Sequence, residues 1–399
     1  MIPHVPARLD RHLELQRWFD RVRDKAVAYG GSSFCDLSWA NAQDGAPAAV
    51  RDAIRAAVDS PRALDLQYTP YGGSTITRRL VARTLQHTTG LPFGYRHVVL
   101  TPGAMAALNI VFRALSEAPD GEVAVVSPCW LDYPLYLENL GLRCVFVPVL
   151  AGSLRLDVPA IERALGPNTR ALILSQPSNP AGLLYTKQEL KDLARILEAA
   201  PVRPMLISDE CHREMVFDRS AFVSPAQFYD HTVIVHSFGK TLMAQGQRIG
   251  YVAVSPRMPD ADAMAHVLVN YCRIMGFCTP TALMQLALRD LVDYRPEIAW
   301  LEARRDRAYA ELTAAGLHAP HSDGTFFLYP EAPGGDDRAW CERLAEHGVL
   351  ILPSSFFHQT GRFRISLTAT DAALERALGR IRELSARMRE PWTAERHPA

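Results

Sequence analysis

The residues of this 399-residue chain whose types could do chemistry together fall in five short segments. These are TPGAM (101–105), SPCW (127–130), QPSNPAG (176–182), SDECH (208–212) and SFGKTLMAQGQR (237–248). Each lies at or just after the end of a run that predicts a β-strand, where open α/β sheets place their ligand sites. Read as one pocket, they supply a lysine (Lys240), a carboxylate (Asp209), an amide (Asn179) and an indole (Trp130). They add a small-residue turn opening a helix (Gly103, Ala104, Met105) and a serine with an arginine (Ser237, Arg248). Backbone N–H groups at a helix N-terminus bind anions without special side chains, and a hydroxyl plus a forked cation extend such a cradle. Asp209 follows the apolar run PMLIS, so its carboxylate is expected to be buried, which is costly without a cationic partner.

Other chemistries lose their motifs on inspection. Gly239-Lys240-Thr241 looks like the end of a phosphate-binding P-loop, but the position five residues before Gly239 is Ile234 and not the glycine that loop needs. No GxGxxG follows the first predicted strand, and neither GxSxG nor HExxH occurs. His212 beside Cys211 has no second ligand at useful spacing, so no metal site is expected.

The elements that must position these segments are legible between residues 97 and 255. There a short β-branched run, a polar turn and a longer amphipathic stretch repeat as parallel βαβ units demand. Strands are predicted at 97–101, 122–127, 143–149, 170–176, 204–210, 232–238 and 248–255, and several are apolar almost throughout, as strands buried on both faces are. TKQELKDLARILEAA (186–200) opens with a capping pattern and puts Leu190, Leu193, Ile196 and Leu197 on one helical face. Residues 8–28 read as an amphipathic helix, and residues 297–399 alternate Arg/Glu-rich helices with the strands TFFLYP, VLILP and FRISLT.

The expected architecture is α/β: a doubly wound, mostly parallel seven-stranded sheet with a small α+β domain formed from both chain ends. Residues 1–50 contribute to the small domain, 51–290 form the large one and 291–399 return to the small one. The ending REPWTAERHPA is expected to be a loose tail.

Composition narrows the partners. Lysine plus arginine and aspartate plus glutamate are equal at 43 each, which argues against nucleic acid or an anionic membrane as the main partner. Seven scattered cysteines without a CxxC pair suggest neither a disulfide framework nor structural zinc. No secretory signal or membrane span is read, so a cytoplasmic protein is expected.

The five segments, with F-R-I-S around Arg364, run in an order shared with a known family. S-F-G-K-T with an arginine eight residues past the lysine, S-D-E, N-P-x-G and T-P-G-A-M span roughly residues 35–370. Over that stretch the sequence resembles the fold-type I pyridoxal-phosphate enzymes, specifically the class I/II aminotransferase group. The resemblance implies that Lys240 holds pyridoxal 5'-phosphate as an internal Schiff base and shuttles the Cα proton. A lysine is ordinarily protonated at neutral pH, so desolvation beside a cation such as Arg248 must lower its pKa.

In the same way Asp209 is implied to pair with the pyridinium N–H, which keeps the ring an electron sink. Asn179 bonds the phenolic oxygen and orients the substrate, and Trp130 stacks on the ring. Gly103, Ala104, Met105, Ser237 and Arg248 hold the phosphate. Tyr68 in QYTPYGG, with Tyr71 as its competitor, reaches the phosphate of a second subunit, which implies a homodimer with shared active sites. Arg364, with Arg362 as its competitor, pairs the α-carboxylate of an amino acid substrate.

Two departures stand out. His212 occupies the place of the usual tyrosine donor to the phenolic oxygen, and an imidazole titrates in the physiological range. Ala40, beside Trp39, stands where many relatives have a glycine contacting substrate. The resulting expectation is a pyridoxal-phosphate-dependent aminotransferase acting on an α-amino acid. A lyase, cyclase or β/γ-replacement enzyme of specialised biosynthesis is the alternative that His212 and Ala40 keep open.

Overall fold

A computed structural model describes residues 7–62, 65–117, 120–218 and 220–389. Most of the expected C-terminal tail therefore lies outside the described residues. Two compact units emerge: Gly45–Ile298 with Asp323–Thr325, and the rest of the described chain.

The larger unit is built on a seven-stranded sheet. Its strands are β1 (Val98–Thr101), β2 (Glu122–Ser127), β3 (Arg143–Pro148), β4 (Thr169–Ser175), β5 (Met205–Asp209), β6 (Thr232–Ser237) and β7 (Gly250–Val254). They lie in the order β1-β7-β6-β5-β4-β2-β3. All neighbours are parallel except β7, which runs antiparallel to both β1 and β6. β7 thus starts at the edge where the others end, and the last of the five chemical segments leads into it there.

Side-chain alternation divides the strands between two cores. Val99, Val235 and Val252 face the helices Ala104–Leu115 and Ala261–Ile274 through Leu108, Val111 and Leu268. Leu100, Ile234 and Ala253 face the other way, onto Val50, Val81, Leu85 and Leu288 of the helices Ala48–Val58, Thr75–Thr89 and Ala282–Leu291. Covering both faces explains the near-continuous apolar runs; each such side chain gains about 1.5–3 kcal/mol on burial. β3 is the exception, an edge strand with Arg143, Phe146 and Pro148 exposed.

The units divide at Asp44/Gly45 and Ile298/Ala299, where the sequence reading placed 50/51 and 290/291. The reason is packing: Val50, Ala53 and Ala57 pack in the same core as Leu291 and Val292.

In the smaller unit, Trp18, Phe19, Val22 and Ala26 are the buried face of helix Ala7–Gly30. Cys35–Asp36 pairs in parallel with Val349–Leu350. Leu352–Pro353, Phe363–Ser366 and Phe327–Leu328 form a three-stranded antiparallel sheet in that order.

The helix Lys187–Ala199 shows local sequence deciding a boundary. Thr186 Oγ1 accepts from the Glu189 N–H at 3.2 Å, and the Glu189 carboxylate accepts from the Thr186 N–H at 2.8 Å. Arg155 Nε donates to the same carboxylate at 3.0 Å. Burial pushes the Glu189 carboxyl up, but the Arg155 and Thr186 hydrogen bonds outweigh it and hold the group below its ordinary value. A depressed carboxyl contributes stability above its unfolded pKa and loses it as pH falls through the folded one. The urea-midpoint difference between wild type and Glu189→Gln should be constant above about pH 5 and shrink on acidification below about pH 4.3. Thr186→Ala should cost about 1 kcal/mol.

Candidate active site

The C-terminal edge of the sheet gathers most of the residues singled out from sequence. Gly103 follows β1, Trp130 follows β2, Asn179 follows β4, Asp209 ends β5 with His212 just beyond, Ser237 ends β6 with Lys240 just beyond, and Arg248 precedes β7. Register ties three of these strands together, since Thr101 lies opposite Gly250 and Gly250 opposite Ser237.

Gly103 caps the Ala104–Leu115 helix with φ +83° and ψ 176°, a conformation that glycine tolerates and other residues do not. A Cβ there would lie 2.4 Å from Arg248 Nη2, so the missing side chain is what lets the guanidinium reach the helix start. Arg248 itself has φ +32°, and its Nη1 donates to the Gln245 carbonyl at 2.8 Å. Ser237 caps the short helix Phe238–Thr241 through its backbone, and its hydroxyl makes no cap bond there. The start of this helix and the Arg248 guanidinium therefore lie together, and the register brings the end of β6 at Ser237 beside them. Of the predicted cradle residues, Met105 is 44% exposed and Tyr68 stands fully exposed on the surface. Tyr71 is engaged instead, beneath the Arg273 guanidinium at 5.1 Å.

Asp209 is buried and supported from two sides. Tyr133 Oη donates to Oδ2 at 2.5 Å, and the Cys211 N–H donates to Oδ1 at 3.1 Å. Burial, and then the Asp209 charge, push the Tyr133 phenol well up, so it stays a donor at every physiological pH. Sequence reading gave Tyr133 no part in holding Asp209. Its place three residues past Trp130 was the available signal, and Trp130 sits edge-on to both Tyr133 and Tyr136 at 5.5 and 5.7 Å. The Cys211 thiol is also pushed up by burial and by Asp209, while the Lys240 ammonium pulls it the other way. Asn179 is half-buried in a loop where Ser178 and Gly182 bond each other, and His212 is buried.

Behind Asp209 lies a polar layer that sequence reading missed. Glu210 is fully buried, accepts from Ser208 and Ser224 hydroxyls, and faces Arg213 at 3.5 Å. His236 Nδ1 meets the Glu210 carbonyl at 2.9 Å and links β6 to the end of β5. Burial, then the Arg213 charge, push His236 well below its ordinary value, so it is a neutral ring donating from Nδ1.

The remaining predicted residues belong to the smaller unit. Arg364 is buried, with Phe327 and Phe357 rings 4.0 and 4.6 Å from its guanidinium carbon and Nη2 donating to the Ser38 carbonyl at 2.7 Å. Burial pulls it down to about 9, which still leaves it charged at neutral pH. Trp39 and Ala40 follow Ser38, and Thr368 Oγ1 donates to the Trp39 carbonyl. The competitor Arg362 is committed elsewhere, to Glu331 at 2.7 Å and the Tyr329 carbonyl at 3.2 Å.

The sequence profile described as "Aminotransferase class I and II" matches residues 36–381. The chain belongs to this family. It is 30% identical over 348 residues to an aspartate/prephenate aminotransferase of Thermus thermophilus, covering 84% of this chain and 86% of that one. A probable aspartate/prephenate aminotransferase of Rhizobium leguminosarum bv. phaseoli is 29% identical over 82% of this chain and 86% of its own. Among solved structures, an aminotransferase from Eubacterium rectale superposes with TM-score 0.89 at 27% identity, covering 97% of both chains.

The aminotransferase family implies pyridoxal phosphate, and the donor set fits such a group. A carboxylate offers about four lone-pair sites. Asp209 accepts from Tyr133 Oη and the Cys211 N–H, which leaves capacity for a protonated ring nitrogen. The cradle matches a phosphate in charge and in N–H supply. Gly103→Ala should displace Arg248 and lower cofactor affinity at least about tenfold, the value of one charge-assisted hydrogen bond or more. Gly246→Ala is the control, because a Cβ there meets nothing within 4 Å. Equilibrium cofactor titration of both variants checks the pair.

Proposed function

We propose that this chain is a pyridoxal-phosphate-dependent aminotransferase for an α-amino acid, working as a cytoplasmic homodimer. The observation that carries the reading is the anion cradle of Gly103, Ser237 and Arg248 beside the buried, doubly supported Asp209. Seven free cysteines agree with a reducing compartment, and no described helix is long and apolar enough to cross a membrane.

When bound, the cofactor supplies an electron sink for the charge left at Cα once its proton is removed. Lys240 anchors it and moves that proton. Asp209, held rigid by Tyr133, keeps the ring nitrogen charged. The first-turn N–H groups from Ala104 and Met105, the Ser237 hydroxyl and the Arg248 fork hold the phosphate. Trp130 would pack against the ring, and Asn179 and His212 would donate at its phenolic oxygen. Arg364 receives the substrate carboxylate, Trp39 and Ala40 line the substrate side, and Tyr68 serves the partner subunit's phosphate.

The relatives named for aspartate and prephenate make L-aspartate with 2-oxoglutarate, and glutamate with prephenate, the first pairs to assay. Oxo-acid formation should require an amino acceptor. Pyruvate and ammonia released without an acceptor from an amino acid bearing a β-leaving group, such as cysteine, would instead support the lyase alternative. Lys240→Ala should lose about 10²–10⁴-fold in rate and no longer be labelled by borohydride reduction of the bound cofactor. Arg364→Leu should lower kcat/KM about ten- to a hundredfold, mainly through KM.

A further inference from the structure

At the opposite, N-terminal edge of the same sheet a recess of about 340 Å³ opens below the starts of β4, β5 and β6. Its volume falls in the range of small-molecule sites. Met205, Met258 and Met264 supply much of its apolar wall, a soft surface that adapts to shape. Its polar members are all cationic or imidazole: Arg170, Arg203 and His231. No carboxylate lines it among the described residues. The nearby acids are engaged, Glu198 with Arg203 at 2.9 Å and Asp230 with Arg257 at 2.9 Å.

Two further observations concern the residues that line this recess. Arg170 Nε and His231 Nε2 are buried and have no hydrogen-bond partner among the described residues, a state that native interiors rarely leave unexplained. The second is a bulge. Glu122 pairs with Thr169 while Val123 pairs with Ala171, so Arg170 is the extra residue in the parallel β2–β4 ladder. Bulges re-aim a side chain that the pleat would otherwise send elsewhere.

We propose that this recess is a binding site for a small organic anion with an apolar body, its carboxylate held by Arg170 and His231 and its body against the three methionines. An inorganic anion would leave the methionine wall unused, and a neutral apolar molecule would leave the two buried nitrogens unmet. The site lies across the sheet from Lys240 and does not depend on the aminotransferase reading.

The test uses the cofactor-loaded enzyme labelled with ¹³C at the methionine methyls, titrated with indole-3-carboxylate and, separately, with indole and with sulfate. The carboxylate should shift the Met205, Met258 and Met264 resonances saturably below about 10 mM. Arg170→Leu should weaken that binding at least about tenfold, and Met264→Trp, which fills the recess, should abolish it. Arg170→Gln serves the same purpose should the leucine variant fold poorly. The proposal is overturned if no saturation occurs, if indole or sulfate binds as well as the carboxylate, or if the affinity ignores both Arg170 variants. It is equally overturned if the shifts fall on Met105 and Met243 at the other edge.

Discussion

Everything at the catalytic edge depends on how closely three strands approach there. A Cβ on Gly250 would lie 2.4 Å from the His236 carbonyl and 3.0 Å from the Gly103 Cα, and one on Gly103 would strike Arg248. Two glycines without side chains therefore let β1, β7 and β6 converge. That convergence presses a helix N-terminus, a guanidinium and the Ser237 backbone into one small volume. The arrangement is electrostatically costly by itself, since the positive end of a helix and a cation face one another. It persists because sheet register, and not side-chain attraction, fixes the backbone. An anion placed there would relieve the repulsion.

The carboxylate side of the site follows a different rule. Asp209 is positioned by neutral donors, a phenol and a backbone N–H, which orient it without neutralising its charge. One residue on, Glu210 is handled in the opposite way, with two hydroxyls and Arg213 around it in the interior. Neighbouring acids thus have opposite tasks. Glu210 ties strand end to strand end, with His236 joining through its carbonyl, and leaves Asp209 with its remaining lone pairs for a ligand. Support of this kind from behind is what holds a functional group within the narrow tolerance that catalysis requires.

How far the sequence revealed this depended on whether a feature was local. β2, β5 and β6 were readable because burial on both faces makes an unbroken apolar run, and the observed ends lie within a residue or two of those expected. The Thr186–Glu189 capping box needs only four adjacent residues, and it was readable too. The direction of β7 was not, because an apolar run carries no sign of whether it lies parallel or antiparallel. Nor was the Tyr133–Asp209 bond, whose partners are 76 residues apart. The bulge at Arg170 depends on pairing between β2 and β4, and no pattern within either strand encodes it. In the smaller unit the strands are as short as two residues, too few to establish a period, so only their apolar content marked them.

The choice between the two arginines of the Phe363–Ser366 strand region shows what structure adds when sequence leaves a tie. Arg362 and Arg364 lie two residues apart, and spacing alone gives their side chains the same direction. Their surroundings separate them. Glu331 takes one arm of Arg362 and the Tyr329 carbonyl the other. Arg364 has the Phe327 and Phe357 rings 4.0 and 4.6 Å from its guanidinium carbon, close enough for cation–ring attraction. These rings make its charge tolerable in a buried position. The in-plane direction is the one in which a planar carboxylate forms paired hydrogen bonds, and the Ser38 carbonyl fixes the angle of that plane. A chain with equal numbers of acids and bases thus holds two neighbouring arginines in different ways, one against aromatic rings and one against a glutamate.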